Sequence, residues 1–194
     1  MGDPSRRRDS ACSIIGDRRG EGGRHDGLVR RTYGVSGGTV EDLSIEWYGR
    51  RPRVSGPAVV TGAFDLLHVG HVRFLTQVRE RGRPLLVGVE DDARVRSWKG
   101  PTRPINPAEE RAEVLAALRA VDGVFIISGP VSSETWEHYV ELLRPLRPAA
   151  LAYTEGDPYA AEKRRGAEAL GAESWQLTLT QGRSTTAFLE ALSH

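Results

Sequence analysis

One run, Val59-Val60-Thr61-Gly62-Ala63-Phe64-Asp65-Leu66-Leu67-His68-Val69-Gly70-His71, constrains this chain more than any other. It passes from a β-branched apolar strand through a glycine turn into a helix that opens beside two histidines. A strand-turn-helix junction of this kind aims backbone N–H groups and the positive end of a helix dipole at one point, where an anion binds. A phosphate suits that point.

The sequence beyond this junction alternates in the same way. Val69, Val72, Leu75 and Val78 recur at helical spacing and Gly82 closes the helix. Pro84 to Val89 is a continuous apolar strand of the kind buried on both faces of a parallel sheet. A short helix over Asp91 to Ser97 and a polar loop over Lys99 to Ile105 follow. Asn106-Pro107-Ala108-Glu109-Glu110 then predicts a helix start, with an Asn cap, proline at the first helical position and acids in the first turn. That helix runs to about Ala120. Val124 to Ile127, Ala149 to Tyr153 and Ser174 to Thr178 are further strands, separated by helices over Glu134 to Leu143 and Tyr159 to Leu170. A last helix runs from Thr185 to Leu192, capped by Ser184. The expected fold is α/β, an open parallel Rossmann-like sheet of about five strands with flanking crossover helices. Ligands of such sheets sit beyond the carboxyl ends of the strands at a topological switch point, and Gly62 to His71 lies at one such end.

The chain has 194 residues, 39% of them apolar, enough for one well-buried domain, expected here over residues 58–194. Residues 1–27, rich in Gly, Arg, Asp and Ser, are expected to form a disordered arm. Residues 28–57 form a short extension in which Thr32-Tyr33-Gly34-Val35 and Ser44-Ile45-Glu46-Trp47-Tyr48 suggest a hairpin. A net charge of +1 gives no reason to expect nucleic-acid or membrane binding. The single cysteine, Cys12, forms neither an internal disulfide nor a cysteine-based metal site, which fits a reducing cytoplasm. No apolar run approaches the roughly 20 residues that span a bilayer. The segment after Arg6-Arg7-Arg8 is too short and too charged for an export signal.

Two familiar nucleotide signatures are missing: there is no G-x-x-x-x-G-K-[ST] loop, and no G-x-G-x-x-G follows a strand. A kinase or a dinucleotide-dependent enzyme therefore has no support. His68 and His71 stand three apart at a helix entrance, where both rings reach one side. A zinc pair is the competing interpretation, but no cysteine or third histidine stands in a comparable motif.

Taken with Gly62-Ala63-Phe64-Asp65 directly before it, the pair resembles the H-x-G-H motif of the nucleotidylyltransferase superfamily, in particular its cytidylyltransferase-like branch with G-x-F-D-x-x-H-x-G-H. The similarity continues through Trp98-Lys99-Gly100-Pro101-Thr102-Arg103-Pro104-Ile105-Asn106-Pro107, Glu110-Arg111 and Val121-Asp122-Gly123-Val124, which look like the bacterial heptose-1-phosphate adenylyltransferase family. Gly182-Arg183-Ser184-Thr185-Thr186 is similar to the S-T-T helix start of the same family. The match runs in order from about Ala58 to Leu192.

The resemblance implies that a sugar or polyol phosphate attacks the α-phosphorus of a nucleoside triphosphate, ATP in this branch and CTP in others, and that pyrophosphate leaves. Catalysis then rests on alignment and charge stabilisation, with no protein nucleophile. It implies that His68, His71, Lys99 and Arg111 act on the phosphates. Gly62, Ala63, Phe64, Gly70, Gly156, Asp157, Arg183, Ser184, Thr185 and Thr186 would surround the nucleotide. Asp65 and Glu155 would face the acceptor, with Asp65 a candidate ligand for Mg²⁺, an ion otherwise held mainly by the phosphates. A homodimer is implied by the relatives, and a separate sugar kinase would supply the substrate.

Two departures bear on the substrate. Thr154-Glu155-Gly156-Asp157-Pro158 stands where relatives carry Lys-Gly-Gly-Asp and an aromatic residue, and Leu179 replaces the arginine of the R-T-E-G-I-S-T motif of glycerol-phosphate and lipid-headgroup cytidylyltransferases. The second change points toward a sugar 1-phosphate acceptor. CMP transfer from CTP to a polyol phosphate, and a nucleotide-binding regulatory protein without catalysis, stay open beside it. A class I aminoacyl-tRNA synthetase does not fit, because the chain lacks a K-M-S-K-S-like loop and the length for an anticodon domain.

Overall fold

The structure is a computed structural model that describes residues 42–133, 135–178 and 180. Its elements, in order, are β1 (Ser44–Tyr48), β2 (Ala58–Gly62), α1 (Val69–Glu80), β3 (Leu85–Glu90), α2 (Asp92–Lys99), α3 (Ala108–Ala116), β4 (Gly123–Ser128), α4 (Trp136–Leu143), a 3-10 turn (Arg144–Leu146), β5 (Ala150–Thr154), α5 (Ala160–Ala169) and β6 (Glu173–Leu177). The strands form one sheet in the order β1-β4-β3-β2-β5-β6. The pairs β2–β3, β3–β4, β2–β5 and β5–β6 are parallel, as the alternating pattern predicts.

Pleating divides the strand residues between two cores. Ala58, Val60, Leu85, Val87, Val89, Val124 and Ile126 face one side, where Phe74, Leu75 and Val78 of α1 and Ala112 and Leu115 of α3 cover them. Val59, Leu86, Phe125, Ile127 and Leu151 face the other, under Leu142 and Leu143 of α4 and Ala167 of α5. β3, covered on both faces, is buried along its whole length. Gly88 leaves room on its second face for the ring of Phe125, whose Cε2 would lie 2.7 Å from an added Cβ.

Three expectations are corrected. Ser44–Tyr48 forms no separate hairpin but pairs antiparallel with β4, Ser44 opposite Ser128 and Tyr48 opposite Val124, so the sheet has six strands and begins before Ala58. Its anchor is Trp47, whose ring meets that of Phe125 at 5.4 Å. The other half of the expected hairpin, Thr32 to Val35, lies outside the described residues. On α1 the buried stripe is Phe74, Leu75 and Val78, while Val69 and Val72 are exposed, because the first turn serves the site and not the sheet. Finally, α3 starts one residue late, after Pro107, since Asn106 spends its side chain on the carbonyl of Asp65 and not on capping.

The ligand cleft follows from this order. β2 is flanked by β3 on one side and by β5 on the other, so the connections diverge at its carboxyl end. Gly62, the last residue of β2, opens the turn that leads to α1.

Candidate active site

The turn after β2 is folded tightly on itself. Phe64 adopts a left-handed backbone with φ 49°, and its ring returns over Gly62, where a Cβ would come 3.2 Å from Phe64 Cε2. Such a conformation costs a non-glycine residue about 1–3 kcal/mol and persists where the surroundings over-determine it. Here they do. Arg111 Nη1 donates to the carbonyl of Ala63, and the carboxylate of Asp65 accepts from Arg103 Nε and from the backbone N–H groups of Ile105 and Asn106.

The helix that follows is capped by the histidines themselves. His68 is the N-cap of α1, and its Nδ1 accepts from Gly70 N at 3.1 Å; His71, at the third helical position, accepts from His68 N through Nδ1 at 3.4 Å. This is a capping box built from two imidazoles in place of the usual hydroxyl and carboxyl. The rings stack at 3.9 Å, and Phe64 meets His71 edge-on at 5.4 Å. Because each Nδ1 accepts a hydrogen bond from an amide, a neutral ring carries its proton on Nε2, and that N–H becomes its donor. Burial, then the neighbouring His68 and Lys99, pull the His71 pKa down to about 4. His71 is therefore a neutral donor at physiological pH.

Lys99 is not in a loop but ends α2, one residue beyond Trp98, whose ring lies 5.2 Å from the ammonium. Burial and the charge of Arg103 lower its pKa. Lys99 and His71 line a common cavity of about 520 Å³ with Gly62, Ala63, Phe64 and Asp65. Glu155, Gly156 and Asp157, after β5, line it from the other side of the switch point. Gly156 takes φ 76°, a conformation that explains glycine there. Asp157 is held by Lys163 Nζ at 2.7 Å and by the N–H of Tyr159 at 2.8 Å.

Two expected phosphate or acceptor residues act on the protein instead. Asp65 is 3% exposed and both its oxygens accept protein donors, so its carboxylate is engaged in holding the turn. Arg111 is 2% exposed; it donates to the carbonyls of Asn106 and Ala63 and forms an ion pair with Asp92 at 2.7 Å. Arg111 keeps N–H groups beyond these bonds, but it does not line the cavity. They fasten the turn from below. Arg103 is drawn into the same assembly, and its buried Nη2 has no partner among the described residues. Arg183, Ser184, Thr185 and Thr186 lie outside the described residues.

The cavity also holds residues that no motif announced. Glu90, at the end of β3, accepts from Arg94 Nε at 2.7 Å and from the hydroxyl of Tyr139 at 2.7 Å. Arg94 Nη2 donates to that same hydroxyl at 2.9 Å, and Arg94 Nη1 donates to the carbonyl of Pro130 at 2.7 Å. Burial raises the pKa of Glu90 and of Tyr139. The ring of bonds ties the loop after β4, and hence the start of α4, to the end of β3. Only the four-residue spacing of Glu90 and Arg94 hinted at it in the sequence.

The profile of the cytidylyltransferase-like family matches residues 59–164. The chain belongs to the cytidylyltransferase-like family. It is thereby a nucleotidyltransferase, and the matched span carries the turn, the histidine pair, Lys99 and Arg111. The curated relatives include the bifunctional protein HldE of Pseudomonas fluorescens, 36% identical over 169 residues that make up 84% of this chain and 34% of the relative. HldE of Chromohalobacter salexigens is 38% identical over 160 residues, 80% of this chain and 32% of the relative. HldE of Pseudomonas paraeruginosa is 41% identical over 145 residues, 72% of this chain and 29% of the relative. The chain thus spans about a third of the length of these relatives. Among solved structures, a lipopolysaccharide core biosynthesis protein from Thermoplasma volcanium shares the fold, with a TM-score of 0.50 at 22% identity over 66% of this chain and 98% of that one. No helix among the described residues is long and apolar enough to cross a membrane.

Proposed function

We propose that this chain transfers AMP from ATP to a sugar 1-phosphate of the heptose type, acting in the cytoplasm. A phosphate oxygen of the sugar attacks the α-phosphorus, the bond from that phosphorus to the bridging oxygen of the β-phosphate breaks, and pyrophosphate departs. The observation that carries the proposal is the histidine capping box. It fixes both rings at a helix start, turns the Nε2–H of His71, which lines the cavity, into a donor and costs no reorganisation when charge builds on the phosphates.

Lys99 adds a cation at the same cavity, on a long side chain able to follow the phosphates as a point charge. Arg111 and Asp65 contribute by holding the turn that the α-phosphate would approach, which is positioning. Mg²⁺ would ride on the triphosphate and neutralise the leaving pyrophosphate, since the carboxylate of Asp65 is already taken. The Gly182 to Thr186 segment remains part of the proposal through its motif. The HldE relatives and the replacement of an arginine by Leu179 favour the sugar branch.

The test is pyrophosphate release from ATP, CTP or GTP in the presence of a heptose 1-phosphate. ATP should be used best. Release with CTP alone would overturn the adenylyl assignment, and the absence of release with all three triphosphates would overturn the reaction.

A further inference from the structure

A second polar feature of the cavity is not accounted for by phosphate chemistry. Glu162 stands in the first turn of α5 and lines the cavity, yet its Oε2 is buried and has no hydrogen-bond partner among the described residues. An acid at this position commonly braces the helix start by accepting the N–H of the cap residue. Here that N–H, of Tyr159, goes to Asp157 Oδ1, and the adjacent ammonium of Lys163 goes to Asp157 Oδ2. Asp157 has taken over both duties and left Glu162 to the cavity. A buried acceptor without a donor is unfavourable, so the site is complete only when something in the cavity donates to it.

The donor can be narrowed by its surroundings. Ionised phosphates have no hydrogen to give and would be repelled, which excludes the phosphate chain of the nucleotide. A flat base would need parallel walls, but Trp98 and Tyr159, which line the cavity nearby, stand at 87° to each other with centroids 6.5 Å apart. That corner, with Trp136 in the same lining, suits a puckered ring with apolar C–H faces and projecting hydroxyls. We propose that Glu162 is a specificity-determining residue that accepts a ring or side-chain hydroxyl of the acceptor sugar, seated against Trp98, Trp136 and Tyr159.

This rests on the adenylyl-transfer reading above, and the experiment separates the two. Wild type, Glu162→Gln and Glu162→Ala are compared by thermal melting without ligand, by ATP titration calorimetry and by pyrophosphate release with ATP and a heptose 1-phosphate. The variants should melt at or above the wild-type temperature, because no intramolecular bond of Oε2 is lost. Their Kd for ATP should stay within about twofold, while KM for the sugar phosphate rises at least about tenfold, equivalent to roughly 1.4 kcal/mol of lost binding. A wild type that turns over the sugar phosphate, with variants whose KM is unchanged, overturns the role of Glu162 alone. Weakened ATP binding in the variants assigns Glu162 to the nucleotide and also overturns it. A wild type that releases no pyrophosphate removes the reading on which the inference stands.

Discussion

His71 accepts the backbone N–H of His68, the residue that caps the very helix on which His71 stands. Both histidines therefore have a structural duty at Nδ1, the proposed reaction gives them a chemical one at Nε2, and the two can be separated by mutation. Asparagine is among the best N-cap residues and glutamine is the usual partner at the third position. His68→Asn and His71→Gln should keep the melting temperature close to wild type while each lowers kcat at least about tenfold, or roughly 1.4 kcal/mol. The alanine variants should lose a further ~1 kcal/mol of stability from the missing cap. Denaturant melts alongside turnover would show this, and wild-type rates in His71→Gln would refute the donor role of Nε2.

The depressed pKa of His71 makes a prediction about pH. The ring stays neutral in the folded state down to about pH 4, whereas its unperturbed value is 6.5. Between these values the unfolded chain binds the extra proton, so His71 erodes stability as the pH falls from 6.5 to about 4 and has no such effect above. Thermal melts of wild type and His71→Gln across that window should show a shallower slope for the variant. Saturating ATP should also flatten the wild-type slope, because nearby negative charge raises the pKa of the ring. Equal slopes for both proteins without ATP would count against the buried, neutral histidine.

Much of the fold was legible because apolar runs of strand length alternate with stretches of helical spacing along the chain. β3 reads as an unbroken apolar run because both its faces are covered. β1 was misplaced because pairing partners far apart in sequence leave no local trace, and only Trp47 against Phe125 explains where the strand goes. The site divides in the same way. His71 and Lys99, singled out by motif, do come to one cavity, since the proposed chemistry requires those residue types together. The duties of Asp65, Arg111 and Asn106 were not legible, because the same carboxylate or guanidinium serves a phosphate or a backbone carbonyl equally well. Glu162 had no signature at all; its importance comes from what Asp157 does nearby.

Asp65 offers a direct check on its reassigned role. Its carboxylate gathers the N–H groups of Ile105 and Asn106 and the guanidinium of Arg103, binding the segment between α2 and α3 to the phosphate turn. Asp65→Ala should cost about 3–5 kcal/mol, since it strands a buried cation and two amides. If Asp65 acted instead as a magnesium ligand, its loss would raise the Mg²⁺ concentration needed for turnover and leave stability nearly intact. Chemical denaturation of the ligand-free protein separates these outcomes.

Arg111 carries the last prediction, because its location under the turn makes its effect on catalysis indirect. Its guanidinium reaches the carbonyl of Ala63, 48 residues away in sequence, and its charge is balanced by Asp92. Lysine preserves the charge but cannot bond Ala63, Asn106 and Asp92 together with the same rigid fork. Arg111→Lys should therefore fold with a loss of about 1–3 kcal/mol, the cost of leaving buried acceptors unpaired. Turnover should fall further than ATP affinity, because the Ala63 to Asp65 backbone would no longer be held where Phe64 keeps its left-handed conformation against His71. A direct phosphate contact would give the opposite split, with ATP affinity lost and stability retained. Calorimetry with ATP on Arg111→Lys, beside its denaturation curve, decides between a residue that touches the substrate and one that shapes the surface the substrate meets.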